Sequence, residues 1–134
     1  MEKKELDSLL QIRNLKMHFP VKAGIIFDHV IGWVKALDGI DLTIRPKQVV
    51  GLVGESGSGK TTLAKVLLLL EKPTQGEVLF RGKNIYSLDV SELKAYRRTL
   101  QAVFQDPFAS LSPRLRVQEI ITEPLQVSSG LGRK

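Results

Sequence analysis

Nine consecutive residues, Gly54-Glu55-Ser56-Gly57-Ser58-Gly59-Lys60-Thr61-Thr62, carry the most specific chemical pattern in the sequence. They satisfy the spacing GxxxxGK[ST], in which each residue type has a physical job. Glycines at 54, 57 and 59 permit positive φ and a close approach of the backbone to a phosphate chain without Cβ clashes. Successive amide N–H groups can then point inward and, with the positive end of a helix starting near Lys60, form a cradle for an anion. Lys60 can reach β- and γ-phosphates as a point charge, and the Thr61 hydroxyl is placed to ligate Mg²⁺. A dinucleotide fingerprint is disfavoured, because the third glycine of GxGxxG is missing after Gly57-Ser58-Gly59.

Such a loop works only between a buried strand and a helix, and the flanking residues have that order. Val49-Val50-Gly51-Leu52-Val53 is a short apolar run of the kind buried on both faces of a sheet. Residues 63–70 after the loop read as a helix stopped by Lys72-Pro73. Upstream, loosely alternating apolar residues over 9–19 predict an antiparallel strand ending at Pro20, and Ile40, Leu42 and Ile44 predict a half-buried strand. Residues 21–33 between them read as an irregular insertion or a loose hairpin. Downstream, 77–85 reads as strand with Gly82 in its middle, and 91–98 as a short helix capped by Ser91. Residues 99–104 read as another buried strand, 106–113 as a loop, and 117–125 as a helix broken at Pro124. Residues 126–134 show no packing pattern.

The 134 residues allow one domain, 1–134, and make a second unlikely on length. A domain of this size buries roughly two-thirds of the surface of its unfolded chain and needs no disulfide or metal staple. With no cysteine, thiolate catalysis and Cys-based metal sites are excluded, and an intracellular setting is the modest inference. Twenty basic against 14 acidic residues give +6, a basic lean that suits phosphates, nucleic acid or an anionic membrane surface. No aromatic-rich platform accompanies Lys94, Arg97 and Arg98, so they read as a solvated helix face and nucleic acid is not expected as a partner. No secretory signal and no run of about 20 apolar residues occurs, so the chain is expected to be soluble or peripheral.

Two further segments narrow the reading. Val34-Lys35-Ala36-Leu37-Asp38-Gly39-Ile40 lies before the loop; Ala102-Val103-Phe104-Gln105-Asp106-Pro107, then Ser110-Leu111-Ser112-Pro113-Arg114, lies after it. With the loop, they closely resemble the ATP-binding subunits of ABC transporters, in particular the oligopeptide/dipeptide importer branch, from about residue 12 to 125. The resemblance implies an α/β P-loop NTPase fold of ABC ATPase type, with an N-terminal antiparallel β portion packed on a parallel core. It implies ATP and Mg²⁺ as ligands and Gln105 as the glutamine that touches Mg²⁺ and the water near the γ-phosphate. Phe19 would stack on adenine, with Trp33 a rival for that role. It also implies transmembrane permease subunits and a second ATP-binding subunit as partners, and a peripheral place on the cytoplasmic face of the cell membrane. Pro46-Lys47-Gln48 departs from the family's Pro-Gly-Glu turn.

The same family needs elements that these 134 residues do not show. There is no LSGGQ-like signature and no apolar strand ending in Asp-Glu; Leu67-Leu68-Leu69-Leu70-Glu71 continues the helix and lacks the Asp. His18 and His29 both precede the loop, whereas the family's switch histidine follows it. The sequence therefore resembles the N-terminal half of such an ATPase, and no catalytic residue is assigned. Its expected role is Mg·ATP binding for an importer of peptides or similar small solutes, with hydrolysis in the complete assembly. The alternative is a non-catalytic nucleotide-binding fragment. A GTPase reading lacks any Asn-Lys-x-Asp guanine box. Incomplete sheet edges and exposed apolar faces are expected.

Overall fold

Strand-period alternation in the first third of the chain produces β1 (Leu10–Ala23) and β2 (His29–Ile44). In the computed structural model, which describes residues 8–24, 29–106 and 111–129, they pair antiparallel from Leu10↔Ile44 to Ala23↔His29. Of the two readings of 21–33, an irregular insertion or a loose hairpin, the structure has the hairpin, with strands that run past Pro20; residues 25–28 lie outside the described set. A bulge at Asn14 (φ 44°) interrupts the pairing, and its amide donates to Asp41 Oδ1 at 2.9 Å.

The chain divides into two units, residues 1–94 and 95–134. In the first, β3 (Gln75–Phe80) and β4 (Lys83–Asn84) complete an antiparallel sheet of order β2-β1-β3-β4. Arg81 and Gly82, both at positive φ, turn β3 into β4, so the expected strand 77–85 is two strands, with Gly82 in the turn. Leu10, Ile12, Leu15 and Met17 of β1, Leu37 of β2 and Val78 of β3 are buried, as are Leu63 and Val66 of the helix α1 (Lys60–Leu67). The helix ends three residues before the expected Leu70: Leu68 is its cap and Leu69 takes φ 58°.

Helix α2 (Val90–Thr99) is capped by Asp89 rather than the expected Ser91. Asp89 Oδ1 accepts from the amides of Ser91 (2.7 Å) and Glu92 (2.9 Å), and Glu92 Oε2 accepts from the Asp89 amide at 3.2 Å. This is a reciprocal capping box. Lys83 donates to Glu92 across to β4. Lys94, Arg97 and Arg98 are exposed. Helix α3 (Val117–Ser129) runs through Pro124 instead of breaking there. Pro124 removes one intrahelical donor, and Thr122 Oγ1 donates to the Gln118 carbonyl at 2.8 Å beside it. Residues 107–110 of the expected loop lie outside the described set.

The expected parallel core is corrected at two places. Residues 49–53 form no strand, with Val49 97% and Val53 94% exposed, and residues 99–104 form none either: Thr99 ends α2 and 100–104 have no regular structure, with Val103 92% exposed. A strand buried on both faces needs a neighbour on each edge, and no described segment pairs with either one. Their apolar patterns record an environment that the described residues do not supply.

Candidate functional site

The loop 54–62 follows the unpaired segment and leads into α1 as its motif requires. Gly57 (φ 80°) and Gly59 (φ 90°) hold left-handed backbone; Gly54 does not. A Cβ at Gly54 would lie 2.6 Å from Ser58 Oγ and 3.3 Å from Ser58 Cβ, a contact that turning the Ser58 hydroxyl would ease. At Gly59 a Cβ would meet the Ala36 carbonyl oxygen at 2.3 Å and Leu37 Cδ2 at 3.1 Å. The first turn of α1 therefore rests directly on the backbone of β2. The Ser58 amide donates to the Glu55 carbonyl at 3.2 Å, and the Leu63 amide to the Gly59 carbonyl at 2.9 Å.

Lys60 closes the loop on itself. Its ammonium donates to the carbonyls of Gly54 (2.8 Å) and Glu55 (2.6 Å) and to Ser58 Oγ (3.1 Å). These acceptors hold the charge at the mouth of the loop, beside the positive end of α1, where a polyanion gains from both. Glu55, Ser56, Gly57 and Ser58 are exposed, Gly59 is buried, Thr61 is exposed and Thr62 half-buried. Left-handed glycines, an ammonium at the mouth and a hydroxyl on the first turn fit a Mg²⁺-bound phosphate chain.

The hairpin separates the two aromatic candidates. Phe19 pairs with Val34 and shares a face with Met17 and Leu37; Leu37 is the side chain that meets Gly59. Trp33 pairs with Pro20 on the opposite face and is 58% exposed. The strand thus brings Phe19's face, not Trp33's, toward the loop. Gln105 lies exposed in the second unit, in the segment 101–106 that has no regular structure.

Two supporting groups carried no sequence signal. Ala36 acts through its carbonyl, which any residue possesses. Tyr86 holds the far end of α1: its hydroxyl donates to the carbonyls of Val66 (2.8 Å) and Glu71 (2.7 Å), one proton shared between two acceptors. Burial, with Glu71 adding to it, pushes the Tyr86 phenol up to about 12. A lone tyrosine after a short strand gives no warning of this.

A family model described as ABC transporter matches residues 37–131, spanning both units. The chain is 43% identical over 119 residues to the oligopeptide transport ATP-binding protein AppF of Bacillus subtilis, covering 88% of this chain and 36% of that protein. It is 50% identical over 119 residues to the peptidoglycan transport ATP-binding protein YejF of Agrobacterium fabrum, covering 89% and 21%. Among solved structures it is similar to a dimeric post-hydrolysis state of an ATP-binding cassette bound to ADP and Pi, with TM-score 0.69 and 29% identity over 93% of this chain and 50% of that one. The chain spans about a third of the length of the oligopeptide-transport relatives.

Proposed function

The chain belongs to the ABC transporter family, and from that premise we propose that it binds Mg·ATP through loop 54–62 as the ATP-binding subunit of an importer of peptides or similar small solutes. The observation that carries this reading is the loop itself: Gly57 and Gly59 in left-handed backbone at the start of α1, with the Lys60 ammonium gathered at its mouth. In this reading Lys60 leaves the Gly54 and Glu55 carbonyls for the β- and γ-phosphates, and the loop amides face the phosphate chain. Thr61 would hold Mg²⁺, with Gln105 its second ligand by the family resemblance, and the ion would neutralise phosphate charge. Phe19 offers the adenine a π-face, supported by its place on the hairpin face that meets Gly59. Both units belong to one nucleotide-binding domain, as the family match across them supports.

The proposed partners are transmembrane permease subunits and a second ATP-binding subunit, with the protein peripheral on the cytoplasmic face of the membrane. The names of the peptide-transport relatives and the dimeric cassette support these, and no helix among the described residues is long and apolar enough to cross a membrane. A second reading, nucleotide binding without turnover, is favoured by one observation: these 134 residues carry no apolar strand ending in Asp-Glu. Titration with Mg·ATP tests the site. Lys60→Ala should weaken binding by about tenfold to a hundredfold while leaving the far-ultraviolet circular dichroism unchanged. Superimposable titration curves for the two proteins would overturn the assignment.

A further inference from the structure

The sheet is four strands wide only near its base. Pairing of β1 with β3 stops at Lys16↔Gln75, where Thr74 closes the edge by accepting from the His18 amide (2.9 Å) and donating to the Lys16 carbonyl (3.0 Å). Beyond that point β1 and β2 continue as a ribbon of two strands alone, which is marginal in water unless something covers it. Its described residues are apolar on both faces. Val30 and Trp33 lie on one face, Val21 and Val34 on the other, and Ile31, 67% exposed, sits at the bulge between them. Lys22 and Lys35 share the Trp33 face and bracket it along the ribbon; Lys35 Nζ also donates to Asp38 Oδ2 at 3.2 Å, and residues 18–24 and 29–35 contain no Asp or Glu.

We propose that this distal ribbon inserts into the interfacial layer of an anionic lipid surface. The two-sided apolarity selects the occupant. An interfacial layer surrounds both faces at once, which suits a ribbon that is apolar on both. A tryptophan flanked by lysines has the composition of an interfacial anchor: the indole sits at headgroup depth, and lysine stems lie along apolar surface with their charges among anionic headgroups. Trp33 and its face take no part in the nucleotide site proposed above, whereas Val21 and Val34 share the face of Phe19, so the lipid contact and the proposed adenine contact meet at the Phe19↔Val34 pair.

Trp33 is the single tryptophan of the chain, so its emission reports the ribbon directly. The full chain, without nucleotide, is mixed with vesicles of phosphatidylcholine alone or with about a third phosphatidylglycerol. The expected result is a blue shift of Trp33 emission and quenching by brominated acyl chains, strongest on the anionic vesicles and falling as salt rises. Ile31→Asp and Val30→Asp should each reduce partitioning by roughly tenfold or more, and Lys22→Glu with Lys35→Glu should abolish the preference for anionic vesicles. Co-sedimentation with unshifted Trp33 emission would place binding on another apolar segment and overturn the proposal. A blue shift that grows with protein concentration in the absence of lipid would mean a second copy covers the ribbon, and would overturn it equally. Equal partitioning to both vesicle types would remove the anionic requirement and with it the proposal as stated. Binding of Mg·ATP by the same preparation reports separately on the loop.

Discussion

At Gly59 two constraints coincide: positive φ, and a β2 carbonyl where a Cβ would go. Gly59→Ala should cost about 1–3 kcal/mol for the left-handed backbone alone, with the overlap adding to it, and should lower the urea midpoint and abolish Mg·ATP binding together. Phe19→Ala should weaken Mg·ATP by about 1–3 kcal/mol, as base–aromatic stacking does elsewhere, while Trp33→Ala leaves that titration unchanged. The reverse result would move the adenine platform to the other face of the hairpin. Tyr86 gives a pH signature. Its phenol is raised to about 12 by burial, so the neutral form is the folded one, and its contribution is complete below the ordinary phenol value near 10 and lost as pH climbs toward about 12. Absorbance at the phenolate band should show a late-titrating step that belongs to Tyr86. Tyr86→Phe should remove that step and destabilise by about 1 kcal/mol, the net worth of an ordinary hydrogen bond.

The elements show which signals are local. The Gly54–Lys60–Thr61 spacing and the start of α1 were legible because the phosphate motif specifies its own backbone, and Ile40, Leu42 and Ile44 announced β2 by alternation. The hairpin's full extent was not, since Pro20 and Gly32 argued against strand while register with the partner strand carried the pairing through them. Residues 49–53 and 99–104 were read as buried strands from apolar runs that report neighbours, and no described strand flanks them. The cap of α2 lies two residues before the expected Ser91: Asp89 and Ser91 are both good capping types, and the reciprocal bond with Glu92 decides for Asp89. Asp89→Ala should therefore lower helical ellipticity more than Ser91→Ala. The backbone amide of Glu92 holds the Asp89 carboxyl below its ordinary value, and Lys83 does the same for Glu92. The box is thus intact above the usual carboxylate range near pH 4 and lost as pH falls through the lowered values. An acid titration of ellipticity that differs between wild type and Asp89→Ala checks the sign.

Across the whole molecule, binding and turnover separate. In the proposed function the loop, Lys60 and Thr61 would supply charge and position, but hydrolysis also needs a base to orient water, and no apolar run ending in Asp-Glu occurs in these residues. The two unpaired segments point the same way physically. Val49, Val53 and Val103 are almost wholly exposed in segments without regular structure, and strands buried on both faces elsewhere in such sheets take their hydrogen bonds from neighbours. The expected outcome is that the 134-residue chain binds a hydrophobic dye strongly, binds Mg·ATP, and releases no phosphate above the Lys60→Ala background. Supplying in trans the remaining segment of a peptide-transport relative should lower dye binding as the sheet is completed. Phosphate release should then appear, and it should depend on Lys60 and Gln105. The decisive comparison is phosphate release by wild type and Lys60→Ala, each alone and with that segment. Lys60-dependent turnover by the chain alone would mean that a water-orienting group lies within these residues, and the search for it would begin among the carboxylates nearest the loop.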